Sequence, residues 1–397
     1  MKIKLSKLTI LIFIFCSICL ISCTYEKKSF LHQNNNSLSK LEKIKLKLIW
    51  QNKIEKNNIF FNKLNPFYYK GFLYLANSNG LIYCINIKTG KIIWYINLIN
   101  KSCFFSSCKD KYLTSGPIIS NNYLYVGNQQ GKIFSINIKT KSIIWIQNVF
   151  SEVLSNFIIR KNILIVHSIG NILQGLNKNN GKILWTVNLG NTNIFSIRGL
   201  STPVLFFDNI ITGDDNGLVS SRVVSNGSLI WEQDLLKFDD KENFININDI
   251  DVQPVIYNEI VYVSSYNGTF MALNLSTGDI IWEKIYFTHK NFIIDNNNIY
   301  LIDIKNRILS LNAKNGHLIW IQDKFKNSKI DNLFIYNKKI FFTNNKGFLY
   351  WIDSKKGNFL GNKKIDKYKI NFILLINNKL VIQTIYNKIY LFKILII

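Results

Sequence analysis

All four prolines of this chain share one phase. Pro66, Pro117, Pro203 and Pro254 stand 14 residues before Gly80, Gly131, Gly217 and Gly268, and 28 residues before Trp94, Trp145, Trp231 and Trp282. Four prolines in 397 residues falling into one register require an internal repeat. A fixed period limits the fold to units that stack or close into a ring.

One unit is legible between Pro117 and Trp145. β-Branched and aromatic residues fill short runs at 118–119, 123–126, 133–138 and 143–145, as strands require. The runs are separated by Asn121-Asn122, by 128–131 and by 139–140, where Asn and Gly supply the positive φ of tight hairpins. The proline sits where the first strand begins and can spare an amide donor. One unit is therefore four short antiparallel strands.

The register continues where the proline is missing. Counting 28 back from Trp185 and Trp320 gives Phe157 and Phe292. Gly181 and Gly316 precede those tryptophans by four, as Gly90, Gly227 and Gly278 precede theirs. A seventh unit runs through Gly347 and Gly357 with Gly361 at the tryptophan position. The third unit shifts its glycine to Gly170-Asn171, and the sixth has Asn306 there.

Residues 373–393 supply three strands of an eighth unit. The missing fourth stands at the other end, in 44–50, which ends in Trp50. A strand from one end completing the unit at the other leaves no bare edge between them. The sequence predicts an all-β fold over 41–397: an eight-bladed β-propeller of four-stranded antiparallel blades, the last closed by the N-terminal strand. A β-sandwich or open solenoid explains neither the split unit nor the period.

Residues 1–22 read as a lipoprotein signal peptide. Lys2, Lys4 and Lys7 precede an apolar run over 8–21, too short to span a bilayer comfortably. The run ends in Leu20-Ile21-Ser22-Cys23, a lipobox that would leave an acylated Cys23 as the new N-terminus. Thr24, rather than an Asp, follows it, so outer-membrane sorting is expected. Residues 23–40 carry the lipid and a polar tether, whose reach at roughly 3.3 Å per residue is about 55 Å.

The formal charge is +25, or 25 − 3 = +22 once Lys2, Lys4 and Lys7 leave with the signal. Such a charge points towards nucleic acid or acidic lipid. The lysines are scattered among Asn-rich turns, however, as codon bias in an AT-rich genome would scatter them, and a secreted chain meets little nucleic acid. No nucleic-acid partner is expected. Of six cysteines, Cys16 and Cys19 fall in the signal, and Cys84 in mid-strand reads as core. Cys103 and Cys108 share one loop, where they either pair or remain free thiols.

Chemistry is scarce. His32, His167, His289 and His317 are the four histidines, and none has metal-ligand spacing. No nucleophile elbow or phosphate loop occurs. No catalytic residue, metal or cofactor is expected. The segment 272–282, ALNLSTGDIIW, resembles the tryptophan-docking repeat of pyrroloquinoline-quinone enzymes, in which the indole packs on the next blade. Trp50, Trp94, Trp145, Trp185, Trp231, Trp282 and Trp320 fit that packing role. The Cys-Cys dipeptide of those enzymes is absent here.

Two stretches depart from the repeat: 195–204, FSIRGLSTPV, continuing into 213–221, and 248–255, NDIDVQPV. Arg198 lies five residues before Pro203, and Asp249 five before Pro254. They therefore occupy equivalent loops of consecutive blades, on one rim. Asp251 should point as Asp249 does in extended chain, and Phe195 and Ile197 alternate beside Arg198. Two readings stand: a binding hot spot or a surface salt bridge of little worth.

With its lipobox, its eight repeats and these two stretches, the chain resembles the BamB family of outer-membrane protein assembly factors over essentially its whole length. The resemblance implies a non-enzymatic lipoprotein of the BAM complex. It would bind the periplasmic POTRA domains of BamA, work with other BAM members on unfolded β-barrel proteins, and assist their insertion into the outer membrane. The family's BamA-contact residues, a Leu-x-Leu-Arg and an Asp-x-Asp stretch, fall on Phe195, Ile197, Arg198, Asp249 and Asp251. Phe and Ile replace the two leucines. The alternatives are a quinoprotein dehydrogenase-like enzyme and a propeller holding a solute or glycan in its central channel.

Overall fold

The computed structural model describes residues 44–54, 64–98, 112–190, 200–235 and 249–396. They form eight four-stranded antiparallel sheets. Seven are continuous in sequence, at 67–97, 113–148, 158–188, 204–234, 255–285, 293–322 and 330–364. The eighth is Ile370–Ile376, Lys379–Thr384 and Lys388–Ile396, completed by Ile44–Lys53. That last pairing runs from Ile44 opposite Ile396 to Lys53 opposite Lys388, with a bulge between Leu48 and Trp50. The expected split blade is thus present. The expected signal peptide and tether, with Cys23, and Cys103 and Cys108 lie outside the described residues.

The blades close into a ring because each buries both its faces. The middle strands of a blade are apolar on both sides; Phe72–Ala76 and Leu81–Asn86 of the first blade each bury four successive side chains. Each of eight apolar clusters spans two consecutive blades. The cluster joining the last blade to the first holds Trp50, Val381, Ile389 and Leu391 against Leu73, Leu75, Tyr83 and Ile85. The outermost strands alternate instead, with only the tryptophan buried in the run Leu229–Asp234.

Backbone bonds fix which turns share an end of the ring. The residue after each third strand donates to the carbonyl of the turn between the first two, as Ile87 N–H does to Gly71 and Leu275 N–H to Glu259, both at 3.1 Å. At the opposite end, the residue after the fourth strand bonds the turn between the second and third. Leu98 N–H meets Gly80, and Leu235 N–H meets Gly217, both at 3.0 Å. The loops entering each blade lie at this second end.

Six of the seven docking tryptophans bond into the following blade; among the described residues Trp94 does not. The indole N–H of Trp50 donates to the Ile87 carbonyl at 2.9 Å, Trp185 to Val224 at 3.0 Å, Trp231 to Leu275 at 2.9 Å and Trp282 to Ala313 at 2.8 Å. Trp145 and Trp320 bond Lys178 and Ser354 in the same way, at 3.0 and 3.3 Å. The ring of Trp231 lies on Gly278, where a Cβ would approach it to 2.7 Å and where φ is +80°. Only glycine satisfies both conditions.

The seventh blade solves the packing differently. Trp351 stands on its third strand, opposite Gly361. A Cβ on Gly361 would meet that indole at 2.7 Å. In the third blade the pair is reversed, with Gly175 opposite Trp185.

Candidate functional site

The entering loop of the fifth blade hangs between two turns. Ile250 N–H donates to the Asp214 carbonyl of the fourth blade at 3.0 Å, and Tyr266 N–H of the fifth blade to the Asp249 carbonyl at 2.9 Å. Ile250 presses so closely on Gly213 that a Cβ there would lie 2.3 Å from its side chain. A side-chain relay runs beneath the neighbouring loops. Ser115 donates to the Ser155 carbonyl, and Ser155 to the His167 carbonyl at 2.8 Å. The His167 Nδ1 lies 3.0 Å from the Ser201 carbonyl, and Ser201 donates to the Val252 carbonyl at 3.3 Å. The entry to the fourth blade is thereby tied to the entry to the fifth.

This arrangement gathers carboxylates. Asp214 opens the turn 214–217, its Oδ1 accepting from the N–H groups of Asn216 and Leu218, both at 2.8 Å. Such an Asx turn forms because Asp satisfies its own following amides. Asp215 follows it, and its backbone N–H donates to Asn171 Oδ1 of the third blade, at 3.2 Å. Asp214, Asp215 and Asp249 are all buried, Asp249 to 1% exposure, while Asp251 is partly exposed and lines the axial cavity.

The electrostatic consequence is plain. Burial, and then the charges of Asp249, Asp251 and Asp214, push the Asp215 carboxyl up to about 7. Burial also raises Asp214, to about 6, against the lowering effect of its two backbone donors. Desolvated carboxylates facing one another favour the neutral form or an added cation.

Sequence reasoning placed Asp249 and Asp251 together on an exposed rim. The structure does bring both to bear on Asp215, but Asp249 is covered, because the loop that carries it is pinned at both ends. Phe195, Ile197 and Arg198 lie outside the described residues. Asp214 and Asp215 were not singled out from sequence. Their signal was the doubled acid in Gly213-Asp-Asp-Asn-Gly217, where other blades carry Asn77-Ser78, Asn128-Gln129 or Ser265-Tyr266. Among the described residues, no group of three or more His, Cys, Asp or Glu is arranged to hold a metal ion.

Residues 78–322 match the family model described as outer membrane protein assembly factor BamB. The protein of that name from Yersinia pestis is 30% identical over 334 residues, covering 84% of this chain and 85% of its own. The one from Escherichia coli K12 is 29% identical over 307 residues, covering 77% and 78%. The crystal structure of BamB from Moraxella catarrhalis superposes with a TM-score of 0.76 at 17% identity, over 88% of this chain and 99% of that one. A quinohemoprotein alcohol dehydrogenase from Comamonas testosteroni shares the fold alone, with a TM-score of 0.64 at 12% identity, over 88% of this chain and 76% of that one.

Proposed function

The chain belongs to the BamB family of outer-membrane protein assembly factors, and from that membership we propose that it is a non-enzymatic scaffold of the BAM complex. In this reading Cys23 anchors it by lipid to the periplasmic face of the outer membrane. The ring binds the POTRA domains of BamA and assists the insertion of β-barrel proteins.

The observation that carries the contact site is the carboxylate group at the junction of the fourth and fifth blades. Asp215, Asp249 and Asp251 converge there, and the charge of the last two raises the carboxyl of the first. Such a group favours a cation beside it. Arg198, two residues before buried Leu200 on the neighbouring entry loop, supplies one in this proposal. Asp249 and Asp251 orient its guanidinium, which has several donors and a fixed plane. Phe195 and Ile197 provide the apolar anchors beside it.

Binding of soluble residues 24–397, which lack Cys23, to the POTRA domains of BamA from the same organism tests this. Saturable binding that Arg198→Glu abolishes is expected. Equal binding by both proteins would move the site, and no binding by a folded protein would remove the assembly reading.

The outermost strands support a finer part of the proposal. Ile93, Tyr95, Ile146 and Ile285 are each more than half exposed, on strands whose outer backbone edge the blade leaves unpaired. Extended β-barrel segments add to such edges through main-chain bonds, with apolar side chains giving grip. Photo-cross-linkers at residues 93, 146 and 285 should capture unfolded client. Capture confined to the turn ends of the ring would sink this part.

A further inference from the structure

The axial cavity has a volume of about 650 Å³ and is lined from all eight blades, a size typical of small-molecule sites. Just ahead of its innermost strand, or at the strand's start, six of the eight blades place an Asn or Gln on the wall of this cavity: Asn65, Asn156, Gln253, Asn291, Asn332 and Asn371. Thr202 takes the place in the fourth blade, and Gly116 in the second.

Asn abounds in this chain because its turns need positive φ. That explanation fails at the cavity, where among the six only Asn332 has positive φ, at 55°. Internal bonding does not use the amides up either. Asn332 Nδ2 donates to Thr343 Oγ1 and to the Ile370 carbonyl, and Asn291 Oδ1 accepts from Gln253 N–H. Among the described residues, the side-chain amides of Asn65, Asn156, Gln253 and Asn371 meet no protein partner. They are only partly exposed, and each carries two donors and an acceptor.

The cavity's charges largely cancel. Lys369 Nζ lies 3.4 Å from Asp331 Oδ2, leaving Asp251 as the other carboxylate of the wall. Phe67, Phe334 and Phe372 add partly exposed apolar surface. The amides lie around an axis, five of them at one repeat position and Asn371 one residue earlier in its blade, not along a line. An extended peptide offers its donors and acceptors as a ladder, whereas a pyranose offers hydroxyls radially from its rim, each both donor and acceptor, and apolar C–H faces above and below.

We propose that the axial cavity binds a neutral saccharide, held at its rim by the ring of carboxamides. This inference is independent of the assembly role.

The test uses the full-length protein in a sugar-free detergent, with saturation-transfer NMR and calorimetry. The probes are N,N′-diacetylchitobiose, maltotriose and, as a peptide control, triglycine. Saturable binding of at least one saccharide at millimolar concentration is expected. Asn65→Leu with Asn371→Leu should weaken it at least tenfold, while Asn226→Ser, in a turn at the opposite end of the ring, leaves it unchanged. Circular dichroism confirms that the double variant is folded, and the single variant Asn156→Leu serves if it is not. Absence of saturable saccharide binding would overturn the proposal. So would binding indifferent to the Leu variants, or tighter binding of triglycine.

Discussion

The seam between the fourth and fifth blades and the seam between the first and second follow one plan and are finished differently. In the former, Trp231 is 7% exposed, donates to the Leu275 carbonyl, and lies on Gly278. In the latter, Trp94 is only half-buried and its indole N–H meets no protein acceptor among the described residues. The turn that should receive it carries Lys141 at the glycine position, with φ at 62°. Both turns close with the same backbone bond, Gly278 N–H to Asn274 and Lys141 N–H to Asn137, at 2.9 and 2.7 Å. The hairpin is therefore preserved without glycine, while the docking bond is not made. Turn geometry and blade docking are separable demands that one residue usually meets together.

The largest effect should come from removing the indoles. Trp231→Ala is expected to cost about 3–5 kcal/mol, the range for a buried aromatic truncated in a core, and Trp94→Ala distinctly less. Urea unfolding followed by circular dichroism measures both, and equal losses would break the comparison. Next, Gly278→Ala should cost roughly 2 kcal/mol or more, since it combines positive φ with a ring in the way of the new methyl. A loss near zero would mean that Trp231 moves aside freely.

The fourth-fifth seam also carries a pH dependence between acid and neutral pH, set by Asp215. The folded state holds the Asp215 proton more tightly than the unfolded chain does, so this carboxyl favours folding most below about pH 4. That advantage is lost as pH rises through about 7. Asp215→Asn should therefore raise the melting temperature at pH 8, by an amount worth about 1–2 kcal/mol, and the two proteins should converge below pH 4. A pH-independent difference would show that the acid group is not the cause. The smallest effect is expected at the other seam: Lys141→Gly relieves a left-handed residue and should gain up to about 1 kcal/mol, with no gain expected from Lys141→Ala.

The period, the strand content and the split blade were legible because each rests on residues with few substitutes. Pro cannot donate, Gly tolerates positive φ, and Trp alone fills the docking volume. The seventh blade was read with Gly361 at the tryptophan position, but its indole comes from Trp351 on the facing strand. Cross-strand partners share a volume that either can fill, and a single-position template cannot see the exchange. Asp214 and Asp215 stayed hidden because Asp-Asp-Asn-Gly is also an ordinary turn. Their importance depends on Asp249, more than 30 residues away in sequence. The carboxamides of the axial cavity were masked by the abundance of Asn elsewhere, and only their backbone angles set them apart.

The strand Ile44–Lys53 pairs with Lys388–Ile396 across the 334 residues that lie between Lys53 and Lys388. Closing so long a loop adds to the entropic cost of the contact, and contacts of such sequence separation form slowly. Until they do, the outer edge of Lys388–Ile396 on one side and Leu46 and Trp50 on the other have no cover, and the ring has two open edges. Closure therefore acts as a proofreading event. A chain that breaks off before Lys388 cannot pass it, and leaves Lys379–Thr384 as the exposed apolar edge that a finished chain hides.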